Sequence, residues 1–340
     1  MTGPPTRRGV IRRPALGRPA RMTGVGAYRP AHTETSDDLG RRLGLEPGWI
    51  RSRTGIERRG RAQEHETLMW MATEASRKAL AQAGLDPAEL DCVVFSSFTD
   101  TRQVPGLAPA VGRELGALSA GAIDLNATCA GSTYGLLMAA GQIALGNADH
   151  VLVVASERLS DIVDPNDRNT AAVFADGAGA MIVSAGDAPG FGRVAWGSDG
   201  TAEDLLILQP RWSRTPGHDP ATRPGLRMDG PGLARWFGSH MAPIAGQALE
   251  KAGTTWDDID AFIPHQGNLR LTRRILAELR PPPHVAVAEA IITDGNTGSA
   301  SIPLAIEHLL STGRAPSGGL ALLLGYGVGI TWAAQVVRLP

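Results

Sequence analysis

Apolar residues along this chain follow strand-like and helix-like spacings in alternation. Continuous apolar runs predict strands at 92–98, 150–155 and 178–184, and apolar positions three or four apart predict helices at 66–83 and 108–115. Short strands that alternate with helices indicate an α/β fold with a mainly parallel core.

The second half of the chain repeats the pattern of the first. The segment ALAQAGLDPAELDCVVF at Ala79 matches ALEKAGTTWDDIDAFIP at Ala248, which begins 169 residues later. Asn296 follows Cys129 by 167 residues, in a loop that corresponds to the cysteine turn. Two nearly equal offsets predict two similar α/β halves, at 21–185 and 186–340, whose equivalent loops meet at one face.

Composition and the chain start narrow the functional classes. The net charge of −1 argues against a nucleic-acid or membrane-surface binder, because both partners require a surplus of one charge. Residues 1–20 contain arginines and prolines but neither acids nor an apolar run, so we interpret them as a disordered basic tail rather than a signal peptide. No apolar stretch reaches the length of a membrane span.

The chain contains two cysteines, Cys92 and Cys129. This number excludes a disulfide framework and a cysteine-rich metal site, and it suits a reducing cytoplasm. Cys92 begins an apolar run, and we interpret it as a packed core thiol.

Cys129 lies in the motif NATCAGSTYGL, between an apolar run at 121–125 and a helical pattern that reaches about residue 145. The first amides of a helix have no partners within it, and its dipole favours negative charge, so a thiol there can be held as the nucleophilic thiolate. The alternative is a small buried core residue, which is the commonest environment of a free cysteine.

Two polar residues in the second half occupy loops that correspond to functional loops of the first. His265 ends an apolar strand predicted at 260–264, and Asn296 begins a helix as Cys129 does. Taken singly, a histidine is more often a surface or capping residue, and asparagine before Thr-Gly-Ser is a common N-cap. Together with Cys129 they form a Cys/His/Asn constellation suited to thioester chemistry.

Six motifs carry a family resemblance, and they are EPGWIRSRTGIERR, NATCAGSTYGL, DPNDRNTAAVFADGAGA, PHQGNLR, DGNTGSASIP and GYGVGITW. From about residue 22 to residue 339 the chain resembles a β-ketoacyl-acyl carrier protein synthase III, a condensing enzyme of the thiolase superfamily. The resemblance implies a thiolase-like fold, in which two duplicated halves form a layered α-β-α-β-α core. It also implies a homodimer.

The resemblance implies a ping-pong reaction in fatty acid or polyketide starter biosynthesis. Cys129 would accept an acyl group from a coenzyme A thioester, which is a substrate and not a cofactor. His265 and Asn296 would hold the thioester oxygen of malonyl-acyl carrier protein during decarboxylation. The backbone amides of Cys129 and Val328 would form a second oxyanion hole.

The same resemblance assigns further binding residues. Trp49 would stack on adenine, Arg53 and Arg168 would lie near the nucleotide, and Asn268 would lie in the pantetheine tunnel. Phe174 would be the aromatic gate beside the cysteine, although a core phenylalanine on a strand is an equal alternative. The carrier protein would dock on the basic helix face formed by Arg270, Arg273 and Arg274, for which the alternative is an ordinary solvated face.

Four positions depart from the family pattern. Val328 and Thr128 stand where small residues are usual, and Val104 replaces an aromatic that closes the partner's acyl pocket in housekeeping members. Asp294 precedes Gly-Asn where a basic residue is familiar. These changes favour a pathway-specific enzyme of secondary metabolism.

Two alternatives to condensation stay open at this point. One is an acyltransferase that moves an acyl group to a hydroxyl or amine, for which Asp294 could supply a carboxylate beside His265. The other is a non-enzymatic binding protein, which an intact Cys/His/Asn set disfavours. Asn296 favours condensation.

Overall fold

Two five-stranded sheets lie at the centre of the computed structural model, which describes residues 17–102, 104–209 and 225–340. Residues 1–16 of the predicted disordered tail lie outside the described residues. Ala20 already belongs to the first strand, so the predicted boundary falls inside a sheet. The strands are β1 (Ala20–Tyr28), β2 (Thr33–Thr35), β3 (Arg58–Gly60), β4 (Cys92–Ser96), β5 (Gly121–Leu125), β6 (His150–Arg158), β7 (Asp176–Ala185), β8 (Ala195–Ser198), β9 (Leu206–Gln209), β10 (Gly225–Met228), β11 (Ala261–Pro264), β12 (Ala286–Val287), β13 (Leu320–Gly327) and β14 (Thr331–Arg338).

The helices cover both faces of these sheets. They are α1 (Ser36–Arg42), α2 (Trp49–Thr54), α3 (Leu68–Ala83), α4 (Ala108–Leu115), α5 (Gly131–Ala144), α6 (Gly230–Ala252), α7 (Leu269–Leu279), α8 (Ile291–Asp294) and α9 (Ser301–Ser311). The predicted helices at 66–83 and 108–115 correspond to α3 and α4. The Thr67 hydroxyl caps the start of α3, and Gly84, with φ of 63°, ends it.

The two sheets share one topology. Their strand orders are β1-β7-β6-β4-β5 and β8-β14-β13-β11-β12. In each sheet the last three strands are parallel, and the second strand is antiparallel to both of its neighbours. The core is therefore mainly parallel, as predicted, with β7 and β14 reversed. For β14 the reason is the short turn 328–330, which can only join antiparallel neighbours.

The two sheets and three layers of helices stack into five layers. Between the sheets lie α5 and α9, whose apolar residues share one core with both sheets, for example Leu136, Ile306, Val153 and Leu323. Outside the first sheet lie α3 and α4, and outside the second lie α6 and α7. This arrangement is the α-β-α-β-α core that the resemblance implied. Among the described helices, none has both the length and the apolar character that a bilayer crossing requires.

Strand β4 ends at Ser96, two residues before the predicted end. The backbone N–H groups of Phe98 and Thr99 instead donate to the carboxylate of Glu157 at the end of β6. Cys92 is buried in β4, as predicted.

The turns before α5 and α9 are equivalent, but they correct one predicted correspondence. Short 3₁₀ turns at Thr128–Ala130 and Gly298–Ala300 lead directly into these helices. Ser299 therefore occupies the position of Cys129, and Asn296 matches Asn126. Each asparagine accepts a hydrogen bond from the N–H two residues ahead, at 3.1 Å in the first half and 2.9 Å in the second. The predicted match of Asn296 with Cys129 was wrong by three positions, because sequence offsets do not reveal where a turn begins.

We expect a methyl group at Gly26 to destabilise the layer contact between β1 and α3. A Cβ there would stand 2.1 Å from Ala75 O and 2.5 Å from Ala79 N, so two backbones would have to separate. Gly26→Ala should lower the free energy of unfolding by about 3 kcal/mol.

The matched control is Gly40→Ala in α1, where a Cβ meets nothing within 4 Å. That change should leave stability unchanged or raise it by up to about 1 kcal/mol. Urea denaturation followed by circular dichroism measures both. Equal stability of the two variants would contradict the close approach of β1 and α3.

Candidate active site

Cys129, His265 and Asn296 lie on the wall of one cavity of about 680 Å³. Each comes from a loop or a turn between regular elements. Cys129 follows β5, His265 follows β11, and Asn296 lies between α8 and the turn that begins α9. All three are buried. The residues that the sequence grouped together are therefore neighbours around a single space.

The surroundings of Cys129 favour the neutral thiol, in contrast to the thiolate that the helix start predicts. Burial raises the pKa of the thiol well above its ordinary value, and the charge of Glu157 raises it further. Cys129 lies in the 3₁₀ turn, two residues before the α-helix begins at Gly131. Burial and the Glu157 charge are the larger effects on its pKa, and a backbone hydrogen bond lowers it by less.

His265 is a neutral imidazole whose tautomer is set by Ser301. The ring Nδ1 is 2.7 Å from the Ser301 hydroxyl, and that oxygen already accepts the N–H of Gln266 at 3.3 Å. Among the described residues, Nδ1 is the acceptor within hydrogen-bond distance of the Ser301 hydroxyl, so we assign the hydroxyl proton to this contact, which leaves the proton of the imidazole on Nε2. Burial lowers the pKa of His265 to about 3, so the ring stays neutral at physiological pH.

Asn296 is oriented by its own backbone and by the residues around Phe174. Its side-chain oxygen accepts the Gly298 N–H at 2.9 Å, which leaves the amide nitrogen as a donor. Its N–H donates to Val173 O, and its carbonyl accepts the N–H of Ala175. Phe174 is thereby fixed beside Asn296 in an isolated β-bridge, and its side chain lines the cavity. It lies in the loop before β7 and not on a strand.

The two donor nitrogens border one small space. A Cβ built on Gly267 would stand 3.0 Å from His265 Nε2 and 3.9 Å from Asn296 Nδ2. A glycine keeps this space open. Two neutral N–H donors that face one point can bind a single oxygen that becomes negative.

The loop Gly327–Gly329 lies against the turn that carries Cys129. A Cβ on Gly327 would stand 2.7 Å from the Cys129 nitrogen, and Val328 lines the cavity. The Thr128 hydroxyl donates to Val328 O at 2.9 Å. Thr128 and Val328, which both depart from the family pattern, are therefore hydrogen-bonded to each other beside Cys129.

Glu157 is a site residue that sequence reasoning missed. It is fully buried behind the turn, and its carboxylate accepts bonds from the hydroxyls of Thr99 at 2.7 Å and Ser299 at 2.6 Å. Burial raises the pKa of this carboxyl to about 7. The available signal was a glutamate at the end of the apolar run HVLVVASE. Ser301 and Tyr326, whose ring meets His265 edge-on with centroids 5.1 Å apart, were also missed.

At the cavity mouth Trp49 lies between two arginines. The Arg53 guanidinium carbon is 4.2 Å from the ring centroid and that of Arg168 is 5.7 Å away. Asn268 caps α7 and donates to Arg53 O at 3.2 Å. All four residues line the cavity, and their roles toward a nucleotide and a pantetheine arm stay predictions.

The three arginines of α7 do not form one uniform face. Arg270 and Arg274 line the cavity, whereas Arg273 is exposed outside it. Arg274 packs over α6, where a Cβ on Gly238 would stand 2.7 Å from its guanidinium carbon. The predicted docking surface therefore divides into a cavity rim and a solvent-facing residue.

Two further predicted positions lie away from the cavity wall. Val104 is 88% exposed. Asp294 is bound by Arg29 at 2.9 Å and is therefore not a partner of His265, whose ring contacts Ser301 instead. In the described part of the chain, no cluster of three or more His, Cys, Asp or Glu residues could hold a metal ion.

Two family models match this chain. The model of 3-oxoacyl-[acyl-carrier-protein (ACP)] synthase III matches residues 123–200, and its C-terminal counterpart matches residues 249–339. The beta-ketoacyl-[acyl-carrier-protein] synthase III 1 of Streptomyces coelicolor is 42% identical over 96% of this chain and 99% of its own length. The mycobacterial beta-ketoacyl-[acyl-carrier-protein] synthase III of Mycobacterium avium is 42% identical over 94% of this chain and 95% of its own.

Solved structures agree with these relatives. The priming beta-ketosynthase of the R1128 polyketide biosynthetic pathway is 42% identical, with a TM-score of 0.94 over 97% of this chain and 98% of that one. The 3-oxoacyl-[acyl-carrier-protein] synthase III of Aquifex aeolicus is 34% identical, with a TM-score of 0.86 over 94% of this chain and 99% of that one.

We expect Glu157→Gln to shift the alkylation of Cys129 by iodoacetamide to lower pH. The Glu157 carboxylate raises the pKa of the thiol, and glutamine removes that charge while it can still accept at one atom and donate to Ser299 with the other. Below about pH 6 the wild-type carboxyl is protonated and neutral, so the two proteins should react alike. Above about pH 7 the variant should react several times faster.

Quenched-flow labelling followed by mass spectrometry measures the rates. Glu114→Gln, an exposed change on α4, is the matched control, and Cys129→Ala shows whether Cys92 contributes to the labelling. An unchanged pH profile would mean that the Glu157 charge does not act on the thiol.

Proposed function

The chain belongs to the 3-oxoacyl-[acyl-carrier-protein] synthase III family, and we propose that it joins an acyl group from a coenzyme A thioester to malonyl-acyl carrier protein by decarboxylative condensation at Cys129. The fold is thiolase-like, and members of the family are enzymes that act in fatty acid or polyketide starter biosynthesis without a cofactor. The observation that carries the proposal is the pair of neutral donors, on His265 and Asn296, that border one space.

In the first half-reaction the Cys129 sulfur attacks the acyl carbonyl and coenzyme A leaves. The proton of the thiol passes to the departing sulfur, so no permanent thiolate is required. The N–H groups of Cys129 and Val328 would bind the tetrahedral oxyanion. Since the acyl group moves from sulfur to sulfur and then to carbon, the enzyme is an acyltransferase.

In the second half-reaction the malonyl carboxylate leaves as carbon dioxide, and its electron pair forms an enolate. His265 Nε2–H and Asn296 Nδ2–H would bind the enolate oxygen. The enolate carbon then attacks the acyl-enzyme carbonyl, and collapse of the tetrahedral intermediate expels the Cys129 sulfur as a thiolate, which takes a proton from water. Donors that are neutral in both states suit a negative charge that appears and disappears.

Plain acyl transfer to a hydroxyl or amine has less support. That reaction needs a general base, usually a histidine whose imidazolium is stabilised by a carboxylate. The partner of His265 is the Ser301 hydroxyl, and Asp294 is bound by Arg29. The low pKa of His265 also disfavours protonation.

Residues at the mouth would bind the rest of the donor and the carrier. Trp49, Arg53 and Arg168 would hold the nucleotide by stacking and charge, and Asn268 would line the pantetheine tunnel. Phe174, fixed beside Asn296, would border the acyl group. Arg270 and Arg274 on the rim would bind phosphate, and Arg273 would contact an acidic carrier protein.

A homodimer is supported by the open edge of the first sheet. Strand β5 is the edge strand of the first sheet, and four of its five residues are exposed. The backbone groups on its outer side are therefore open to a further strand. The loop with Val104 is tied to this edge, because the Leu107 N–H donates to Asp124 in β5 at 2.7 Å. A partner paired along β5 would bring Val104 against a second copy, where its small side chain would admit acyl groups longer than acetyl. The small side chain of Val104 and the similarity to a priming ketosynthase support a pathway-specific role. Two free thiols suit a reducing cytoplasm, where they stay reduced.

The decisive test separates the two half-reactions. We expect Asn296→Ala to lose at least a hundredfold in the release of labelled carbon dioxide from malonyl-acyl carrier protein, because one of two enolate donors is removed. The same variant should still gain one acyl mass from acyl-coenzyme A.

Cys129→Ala provides the complementary result, since it should lose acylation and retain carbon dioxide release. Scintillation counting and intact-protein mass spectrometry measure the two activities. Transfer of acyl groups to a hydroxyl or amine, without carbon dioxide release from any malonyl thioester, would refute condensation.

We expect Arg273→Glu to raise KM for malonyl-acyl carrier protein about tenfold and to leave acylation from coenzyme A unchanged. The residue is exposed and does not line the cavity, so its charge is available to attract an acidic protein. In wild type the carrier-dependent rate should fall with salt. Arg113→Glu, an exposed reversal on α4, is the control. Equal losses in both half-reactions would assign Arg273 to the nucleotide or to stability.

A further inference from the structure

We propose that Thr128 is a positioning residue, whose hydroxyl fixes the Val328 N–H beside Cys129 so that the second oxyanion hole is formed before substrate binds. The inference rests on the proposed function, because it assigns a partner to one of the donors named there. It concerns acyl transfer to and from Cys129 and not the decarboxylation of malonate.

The Thr128 hydroxyl lies in the gap between the nucleophile turn and the glycine loop. It donates to Val328 O at 2.9 Å. It is also 2.9 Å from the carbonyl of Ala127, which accepts the hydroxyl of Thr331 at 3.2 Å as well. Of the two acceptors near the Thr128 hydroxyl, Val328 O is the one that ties the nucleophile turn to the glycine loop, and Ala127 O keeps a second donor in Thr331.

The gap has room for this hydroxyl because position 327 is glycine. A Cβ on Gly327 would stand 2.2 Å from Thr128 Oγ1 and 2.7 Å from the Cys129 nitrogen. Gly327 lets the loop backbone approach the turn closely, and the Thr128 hydroxyl donates to the carbonyl of Val328, the residue after Gly327.

Val328 is held on both sides. Gly327 is paired with Thr331 at the end of the β13–β14 ladder, which fixes the peptide that contains the Val328 N–H. Thr128 fixes the next peptide through its carbonyl. No acceptor within residues 17–102, 104–209 and 225–340 takes the Val328 N–H, and Val328 lines the cavity, so this donor remains for a ligand.

The backbone of Thr128 indicates that the hydroxyl has a function beyond local stability. Its φ is 47°, a left-handed conformation that a β-branched residue adopts only under strain. At the equivalent position of the other half stands Gly298, with φ of 56°, for which this conformation carries no strain. A residue selected for stability alone would be glycine in both turns.

Three substitutions separate positioning from stability. Thr128→Val keeps the shape and removes the hydroxyl, Thr128→Ser keeps the hydroxyl, and Thr128→Gly removes both the hydroxyl and the strain. Each variant is tested as the full chain in three assays. These are single-turnover acylation from acyl-coenzyme A, carbon dioxide release from malonyl-acyl carrier protein, and the midpoint of thermal unfolding.

We expect the maximal single-turnover acylation rate of Thr128→Val to be at least tenfold lower, with the half-saturating concentration of acyl-coenzyme A within twofold of wild type, because the donor is misplaced rather than deleted. Carbon dioxide release should stay within twofold. Thr128→Ser should acylate within about threefold of wild type. Thr128→Gly should acylate as slowly as the valine variant and unfold at the wild-type temperature or above, so it carries the test if valine does not fold.

Wild-type acylation rates in the valine and glycine variants would overturn the inference. Equal losses in acylation and carbon dioxide release would also overturn it, since they would indicate a general disturbance of the site. Failure of the proposed function would look different, because wild type itself would neither acylate nor release carbon dioxide, and this inference would fall with it.

Discussion

Exclusion of water from the face where the two halves meet shifts the pKa of the groups closest to the chemistry, Cys129, His265 and Glu157. Burial lowers the pKa of His265 to about 3, raises that of Glu157 to about 7 and raises that of the Cys129 thiol well above its ordinary range. Near neutral pH the thiol of Cys129 and the imidazole of His265 are therefore neutral, and the carboxyl of Glu157 is close to half ionised. The site contains hydrogen-bond donors for charge that appears during reaction, rather than charge that is stored beforehand. These donors are used only when a substrate develops an oxyanion or an enolate beside them.

This dry site depends on bonds that cross from one half to the other. The carboxylate of Glu157 in the first half accepts the Ser299 hydroxyl of the second, and the backbone of Asn296 is bonded on both sides of Phe174. The partly exposed pair of Arg29 and Asp294 adds a third link, although ion pairs that water reaches contribute only about 1 kcal/mol or less. The buried links matter more, because an unpaired carboxylate or backbone group in this region would be strongly destabilising. Any motion that separates the halves would break the oxyanion sites and admit water together.

Much of this fold could be predicted from the sequence, and so could the membership of the site. The apolar spacing predicts α3 and α4 to within about two residues. The grouping of Cys129, His265 and Asn296 follows from the duplication, because equivalent loops of the two halves meet at one face, and the three residues do line one cavity. What could not be predicted depends on three-dimensional burial. The helix-start argument for a thiolate is local, whereas the pKa of Cys129 is set by water exclusion and by a glutamate 28 positions away, at 157. The match between Ser299 and Cys129 depends on where each 3₁₀ turn begins, which no offset of sequence motifs reveals.

The repeated turns have a consequence for the logic of the reaction. A carbon–carbon bond formed between two carbonyl compounds needs one electrophile and one carbon nucleophile, placed face to face. A duplicated scaffold provides two copies of one backbone, each with an asparagine that closes the same hydrogen-bonded loop. In the proposed reaction the cysteine of the first copy would hold the electrophile and the asparagine amide of the second would bind the nucleophile, while the fully buried Ser299 donates to the carboxylate of Glu157 instead. The symmetry of the scaffold is thus converted into the polarity of the bond that forms between its two halves.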